Sequence, residues 1–373
     1  MQKSITHFLH RIEEYFDHWK YGLSERWGGR RAFMIQPYRG FGLPQRIYLK
    51  GRVLENKGIT SPRESDGLWD NLRNMYRRFE SDEIPYSQVL GRFGGVTRAV
   101  GADEEGYFDL WLEPTQSLPS DRLWHSVKLK LLHPRPSSAE MVQAEGEVLI
   151  PPPTARFGVI SDIDDTVVYT ASTNLLRMVQ TVFLGNARTR RAFSGVAAFY
   201  QALQAGKQAK EGNPIFYVSS SPLNLYDLLS DFFALNGIPA GPILLRDWGI
   251  TEEEVLPTGH RSYKLKWIHS LLNTFSNLPF ILIGDNSQED PEIYRELVRL
   301  YPGRILAIYI RNITRQIERS AEVNKLAEEM TGQGTPFLLA EDTFRMAEHA
   351  AGQGWIAAPL SPEPALSEGR DAA

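Results

Sequence analysis

Three carboxylates and, closing them, the hydroxyl of Thr166 crowd into the end of the run Phe157-Gly-Val-Ile-Ser-Asp162-Ile-Asp164-Asp165-Thr166, just after the apolar, β-rich pair Val159-Ile160. A buried strand tolerates such a cluster only where its end opens into a cleft, which makes this run the candidate active site. In an open parallel sheet ligands bind beyond the carboxyl ends of the strands, so Asp162 and Asp164 would project side by side within reach of a substrate. Like charges this close repel unless a cation compensates them, and Mg2+ with oxygen ligands is the expected companion.

Three further candidates follow along the chain. Ser219 comes after the apolar run Ile215-Phe216-Tyr217-Val218, where its hydroxyl and nearby backbone N–H groups could hold a phosphoryl oxygen at a helix start. Ser-Pro also simply begins many helices. Lys264 falls early in a helix, in His260-Arg-Ser-Tyr-Lys264-Leu-Lys266, where an ordinary lysine is solvated. In Gly284-Asp285-Asn-Ser-Gln-Glu-Asp290, after the strand-like Phe280 to Ile283, carboxylates at a strand end are a metal signal, while Asp290 equally fits a helix cap. His125 and His133 belong to no ligand-spaced set and read as surface or packing residues.

The segments that must position these residues are of two kinds. Over residues 31–153, runs such as Phe33-Met34-Ile35, Ile47-Tyr48-Leu49, Tyr107-Phe108-Asp109-Leu110-Trp111 and Val127-Lys128-Leu129-Lys130-Leu131 alternate or are β-rich between Gly and Pro. They predict a β-rich domain built as a small antiparallel sandwich, with a tight turn at Asp103-Glu104-Glu105-Gly106 and a helix from Leu68 to Phe79. Pro151-Pro152-Pro153 reads as a stiff linker. Over residues 154–352, apolar runs at Val159-Ile160, Ile215 to Val218, Ile243 to Leu245, Phe280 to Ile283 and Ile305 to Ile310 alternate with helical periodicity. That pattern predicts an α/β domain with a Rossmann-like, doubly wound parallel sheet. Ser221-Pro222 and Asp290-Pro291 each read as a capping side chain before a proline at the first helical position, with Gly237 closing the first of these helices.

Within residues 1–30, Ile5, Phe8, Leu9, Ile12, Phe16, Trp19 and Leu23 recur at helical spacing. They predict an amphipathic helix packed on its own protein, since its polar face lacks the Lys/Arg richness of a membrane-surface helix. Residues 353–373, rich in Pro, Ser, Glu and Ala, read as a disordered tail. The 373 residues, 42% of them hydrophobic, suffice for two domains and are too apolar for a disordered chain. A formal net charge of −4 excludes general nucleic-acid binding, which needs a basic face. The absence of cysteine excludes disulfides, thiolate metal sites and cysteine nucleophiles. With no long apolar run and a charged N-terminus, a cytoplasmic protein, peripheral to a membrane at most, is expected.

In order and placement the four motifs resemble those of the haloacid-dehalogenase superfamily of phosphatases. The wider context, over about residues 155–350, is similar to the catalytic domain of the actin-patch-associated phosphatidate phosphatases, relatives of the lipin-type lipid phosphatases. Carrying that narrower resemblance are Ser161-Asp-Ile-Asp-Asp-Thr166, Ala187-Arg-Thr-Arg-Arg-Ala-Phe-Ser-Gly195-Val-Ala-Ala-Phe-Tyr, Tyr217-Val-Ser-Ser-Ser-Pro222 and Ile283-Gly-Asp-Asn-Ser-Gln-Glu-Asp-Pro-Glu-Ile-Tyr294. Asp165 stands where lipins have glycine, although an acidic residue is usual in the narrower family.

The resemblance implies a Mg2+-dependent phosphatase with a minimal cap, acting on a phosphorylated lipid at a membrane surface and converting phosphatidate to diacylglycerol and phosphate. A phosphatase for a soluble or protein-borne phosphate, or a catalytically silent lipid-binding module, are the alternatives. In the implied mechanism Asp162 attacks phosphorus to form an aspartyl-phosphate, and Asp164 acts first as acid and then as base. Mg2+ takes the Asp162 carboxylate, the Asp164 backbone carbonyl and Asp285, with Asp290 either supporting the metal shell or capping its helix. Ser219 and Lys264 hold phosphoryl oxygens, Lys266 replacing Lys264 if the helix register differs. Ser220, Arg188, Arg190 and Arg191 are further substrate contacts; the arginines equally fit a solvated turn. Roughly fifty residues between Thr166 and Ser219 leave little room for a cap, so the site would admit a head group still embedded in a bilayer. Trp248 reads as a packed loop aromatic or an interfacial contact.

Overall fold

The computed structural model describes residues 32–56, 83–135, 141–168, 193–246, 259–314 and 316–360. The helices expected at 1–30 and from Leu68 to Phe79, the residues Arg188, Arg190, Arg191 and Trp248, the segment where a cap would lie and the tail beyond 360 fall outside the described residues.

In the first region alternating side chains build β1 (Phe33–Pro37), β2 (Gly40–Leu43), β3 (Arg46–Glu55), β4 (Gln88–Phe93), β5 (Val96–Gly101), β6 (Tyr107–Leu112), β7 (Trp124–His133) and β8 (Gln143–Leu149). They form one eight-stranded sheet in the order β1-β3-β2-β8-β7-β4-β5, with β6 paired to β3. The pairing is antiparallel except between β2 and β8. In place of the expected two-sheet antiparallel sandwich, a single mixed sheet folds over itself. The reason is that inward side chains of distant strands, Val89, Leu110 and Leu129 among them, share one apolar core, and Leu110 of β6 packs directly on the Gly91 backbone of β4. The turn into β6 forms as expected: Asp103 Oδ1 accepts from the backbone N–H groups of Glu105 (3.0 Å) and Tyr107 (2.8 Å).

The second region contains β9 (Gly158–Ser161), α1 (Val196–Ala205), β10 (Ile215–Pro222), α2 (Tyr226–Leu235), β11 (Ile243–Arg246), α3 (Gly259–Thr274), β12 (Phe280–Asp285), α4 (Asp290–Leu300), β13 (Ile305–Arg311), α5 (Ile317–Gly332), β14 (Phe337–Ala340) and α6 (Thr343–Gly352). Its six strands are parallel, ordered β11-β10-β9-β12-β13-β14. Both faces are apolar. Val159, Tyr217, Ile281 and Tyr309 pack with residues of α1, α2 and α6 on one side; their neighbours Ile160, Phe216, Leu282 and Ile308 pack with residues of α3, α4 and α5 on the other. Burial on both faces is why these strands read as continuous hydrophobic runs. From β9 the chain steps outward through β10 and β11, then returns to the opposite side of β9 with β12. Strand order therefore reverses between β9 and β12, and a crevice opens at their carboxyl ends.

The two regions share one interior. Phe41 lies 5.9 Å from Phe216 and 6.4 Å from Trp267, ring centre to ring centre, and Tyr38 lies 4.3 Å from Tyr226. Pro151–Pro153 thus join packed bodies rather than spacing them apart. At the other end Ile356 is buried in the core beneath α6, so the ordered body extends past residue 352, where a tail was expected.

Candidate active site

Parallel register sets Ser161 of β9 against Ile283 of β12, and Asp162 N–H donates to the Ile283 carbonyl at 2.9 Å. Asp162 follows one residue after Ser161 and Asp285 two residues after Ile283, so both emerge at the carboxyl ends of neighbouring strands, where the crevice opens. Asp290, the first residue of α4, folds back over Gly284: a Cβ at 284 would sit 2.5 Å from Asp290 Oδ2, so only glycine lets the carboxylate in. Lys264 reaches in from α3 and spans two of these carboxylates, with Nζ 2.7 Å from Asp162 Oδ1 and 2.6 Å from Asp290 Oδ1. All four side chains are buried.

One carboxylate oxygen from each of Asp162, Asp285 and Asp290 lies within 4.8 Å of the others. Against three carboxylates stands one ammonium, and Asp285 Oδ2 is buried without a hydrogen-bond partner. The acid equilibria register the cost of burying these carboxylates together. Burial raises Asp162 well above the usual carboxyl range despite the pull of Lys264. Asp285 is pushed up to about 7, by burial first and by Asp290 second. Burial would lower Lys264, but the flanking Asp162 and Asp290 carboxylates outweigh it and hold the ammonium charged. Hard oxygen donors, excess negative charge and an orphaned carboxylate oxygen fit a metal ion at this triad.

Asp164 is outside that triad. Its Oδ2 accepts from Ser219 Oγ at 2.7 Å and Ser221 Oγ at 3.0 Å, which ties that oxygen to β10 rather than to the triad. Burial raises its pKa, and the two hydroxyls partly offset the rise. Ser221 is therefore no helix cap: β10 continues through Pro222, with a register shift after Val218, and the hydroxyl serves Asp164 instead. Ser219 correspondingly lies inside the strand, not at its end. Nor does Asp290 cap its helix; that place falls to Glu289, whose side chain makes no cap bond. Asp290 instead spends its oxygens on Lys264 and on Asp285 N–H, at 3.3 Å, because a buried ammonium is a stronger partner than a helix N–H. Ser220 Oγ is buried and unpartnered, and Lys266 is exposed. Thr166 Oγ1 is 3.5 Å from Asp162 Oδ2. Asp165 adopts φ 56°, in the left-handed region, where glycine is favoured and Asp is among the better-tolerated side chains.

Two residues outside the motifs as first read, Arg319 and Arg311, and one within them, Asn286, fasten this constellation. Arg319 of α5 donates to the carbonyls of Asn286 (3.0 Å) and Gln288 (2.6 Å) and pairs with Glu292, clamping the loop between Asp285 and Asp290. Asn286 Oδ1 accepts from Ile313 N–H (2.8 Å) and Thr314 N–H (3.1 Å). Arg311 donates through Nε to the Thr166 carbonyl at 3.2 Å and through Nη2 to Thr343 Oγ1 at 2.9 Å. The signal that would have found Arg311 is the one that found Asp162 and Asp285: a charge closing an apolar strand.

Residues 157–312 match the family model described as phosphatidate phosphatase APP1, catalytic domain. The phosphatidate phosphatase APP1 of Saccharomyces cerevisiae is 30% identical over 250 residues, which cover 65% of this chain and 40% of that protein. An uncharacterized protein of Schizosaccharomyces pombe is 31% identical over 158 residues, 42% of this chain and 25% of that one. The chain thus spans less than half the length of these curated relatives. Among solved structures, a carbohydrate acetylesterase from Xanthomonas citri aligns over 81% of this chain and 66% of its own at 12% identity, with a TM-score of 0.27, too slight a likeness to bear on fold or activity.

Proposed function

From the premise that residues 157–312 belong to the catalytic-domain family of phosphatidate phosphatase APP1, we propose that this chain is a Mg2+-dependent phosphatidate phosphatase with a haloacid-dehalogenase-like catalytic domain. The observation that carries the reading is the buried set of Asp162, Lys264, Asp285 and Asp290 at the point where strand order reverses. Burying three carboxylates around one ammonium is costly, and such a set persists where chemistry uses it.

Asp162 is the nucleophile. One of its oxygens attacks phosphorus in line while the bond from phosphorus to the lipid oxygen breaks, leaving an aspartyl-phosphate. Asp164 protonates the departing alkoxide, and burial shifts its carboxyl upward, the direction a general acid needs. In the second displacement Asp164 takes a proton from water as the water oxygen bonds to phosphorus, and Asp162 is regenerated as phosphate leaves. Lys264 releases part of its hold on Asp162 to meet a phosphoryl oxygen, and Ser219, with Ser220 beside it, holds another. Mg2+ held by Asp162, Asp285 and Asp290 would neutralise charge on nucleophile and substrate together. Among the described residues no helix is long and apolar enough to cross a membrane, so the enzyme would meet its lipid from the bilayer surface.

Phosphate release from phosphatidate vesicles and from p-nitrophenyl phosphate, each with EDTA and with Asp162→Asn, tests this. Metal-dependent release from phosphatidate that Asp162→Asn abolishes is the expected result. Release from the soluble ester alone removes the lipid assignment, and release from neither leaves a silent binding module.

A further inference from the structure

Between the end of β13 and α5 lies a cavity of about 720 Å3 that the mechanism leaves unused. It is tied to the catalytic loops at two points. Arg311, in its wall, donates to the Thr166 carbonyl, and Asn286, next to Asp285, binds the backbone of Ile313 and Thr314 in the same wall. Arg311 also pairs in register with Asp285 across neighbouring strands, so one residue of the cavity wall sits about one strand spacing, roughly 5 Å, from the backbone of a triad residue.

The lining is amphipathic. Residues Ile317, Ser320, Ala321 and Asn324 of α5 follow the i, i+3, i+4, i+7 pattern and present one helix face to the cavity. Small side chains at its centre leave space, and Ile317, at 81% exposure, sets an apolar group in water at the edge. Phe193 adds an aromatic wall and lies 4.1 Å from the Arg311 guanidinium. Among the described residues no carboxylate lies within ion-pair distance of Arg311, which is itself only 4% exposed. The described lining carries one cation, Arg311, and one anion, Glu341. That balance disfavours a second anionic group and favours a neutral ligand with hydrogen-bond acceptors and an apolar body.

We propose that this cavity binds the ester-bearing half of the lipid substrate, with Arg311 and the polar wall facing its ester carbonyls and the acyl chains leaving over Phe193 and Ile317. The proposal rests on the phosphatidate reading above and adds where the leaving group sits. A diacylglycerol unit has neutral acceptors next to the phosphate and apolar chains beyond them, in the order in which the lining changes from Arg311 to Ile317.

The test fills or polarises the cavity from exposed helix positions, where folding is least affected. Wild type, Ala321→Trp, Ile317→Asp and the conservative Ile317→Leu are compared by the ratio of kcat/KM on dioctanoyl phosphatidate in mixed micelles to kcat/KM on p-nitrophenyl phosphate. Inhibition of the soluble reaction by dioctanoylglycerol is measured alongside. The expected outcome is a ratio at least tenfold lower in Ala321→Trp and Ile317→Asp, with inhibition by dioctanoylglycerol weakened in parallel and both quantities kept in Ile317→Leu. Wild-type ratios and inhibition in the first two variants would overturn the assignment while leaving the phosphatidate reading standing. A wild type that hydrolyses only the soluble ester sinks that reading and this subsite with it.

Discussion

In the β-rich region the buried polar side chains, among the described residues, are Ser87 and His125, whereas one end of the parallel sheet buries Asp162, Lys264, Asp285, Asp290 and Arg311 where strand ends meet α3 and α4. Burial also drives His125 toward its neutral form, so the first region hides no formal charge. The two regions share an interior and differ in what they are built to tolerate. A fold held by apolar packing keeps ions out because desolvating them is expensive. Where ions are kept, as at β9 and β12, stability has been given up for chemistry. Substitutions in the two regions should therefore separate cleanly into losses of rate and losses of stability.

The largest effect expected is on rate. Asp162→Asn should lower phosphate release by on the order of 10^4-fold or more, while its melting temperature holds or rises, since the charge removed is one the fold disfavours. A melting temperature that collapsed with the activity would mean Asp162 is mainly structural. Leu110→Ala supplies the converse: at 0% exposure in the β-rich core it should cost about 2–5 kcal/mol in denaturant titrations and leave kcat of the folded protein unchanged. If kcat fell as well, the separation of the two regions would be wrong.

A smaller effect sharpens the comparison through pH. The Asp285 carboxyl lies at about 7 in the fold, above its unfolded value near 4. A raised carboxyl stabilises the fold fully below the unfolded value, and that contribution is lost as pH rises through 7. Metal-free protein should thus melt higher at pH 5 than at pH 8, and saturating Mg2+ should raise Tm more at pH 8. Thermal melts showing the reverse order would count against the triad as a cation site. The smallest effect concerns Asp165, at φ 56°. Asp165→Gly should change stability by no more than about 0.5 kcal/mol, and Asp165→Val should cost about 1–2 kcal/mol. Equal melts for the two variants would show that backbone conformation does not govern this position.

Much of the catalytic half was readable along the chain because each motif is local. Asp162 and Asp285 close apolar strands, and polar groups at the end of a buried strand announce a cleft. The cap readings of Ser221 and Asp290 fail for an equally local reason, while the alternative reading of Asp290, in the metal shell, fits the triad. Ser-Pro and Asp-Pro usually start helices, and nothing nearby in sequence reveals that Asp164, 57 residues before Ser221, and Lys264, 26 residues before Asp290, compete for those oxygens. In the β-rich region the runs quoted from the sequence are strands, β1, β3, β6 and β7, but the sheet itself was not legible, since the parallel pairing of β2 with β8 joins segments about a hundred residues apart.

Residue type and spacing alone determined that two carboxylates and a following metal-type motif would end parallel strands, because strand period and the cost of buried charge act over a few residues. Tertiary structure alone decided that Lys264 rather than Lys266 enters the site, that Asp290 faces inward, and that Arg311 and Arg319 fasten the loops. Those outcomes depend on which buried charges meet across the fold, and electrostatic partners are chosen by distance in space, which the order of residues does not encode directly.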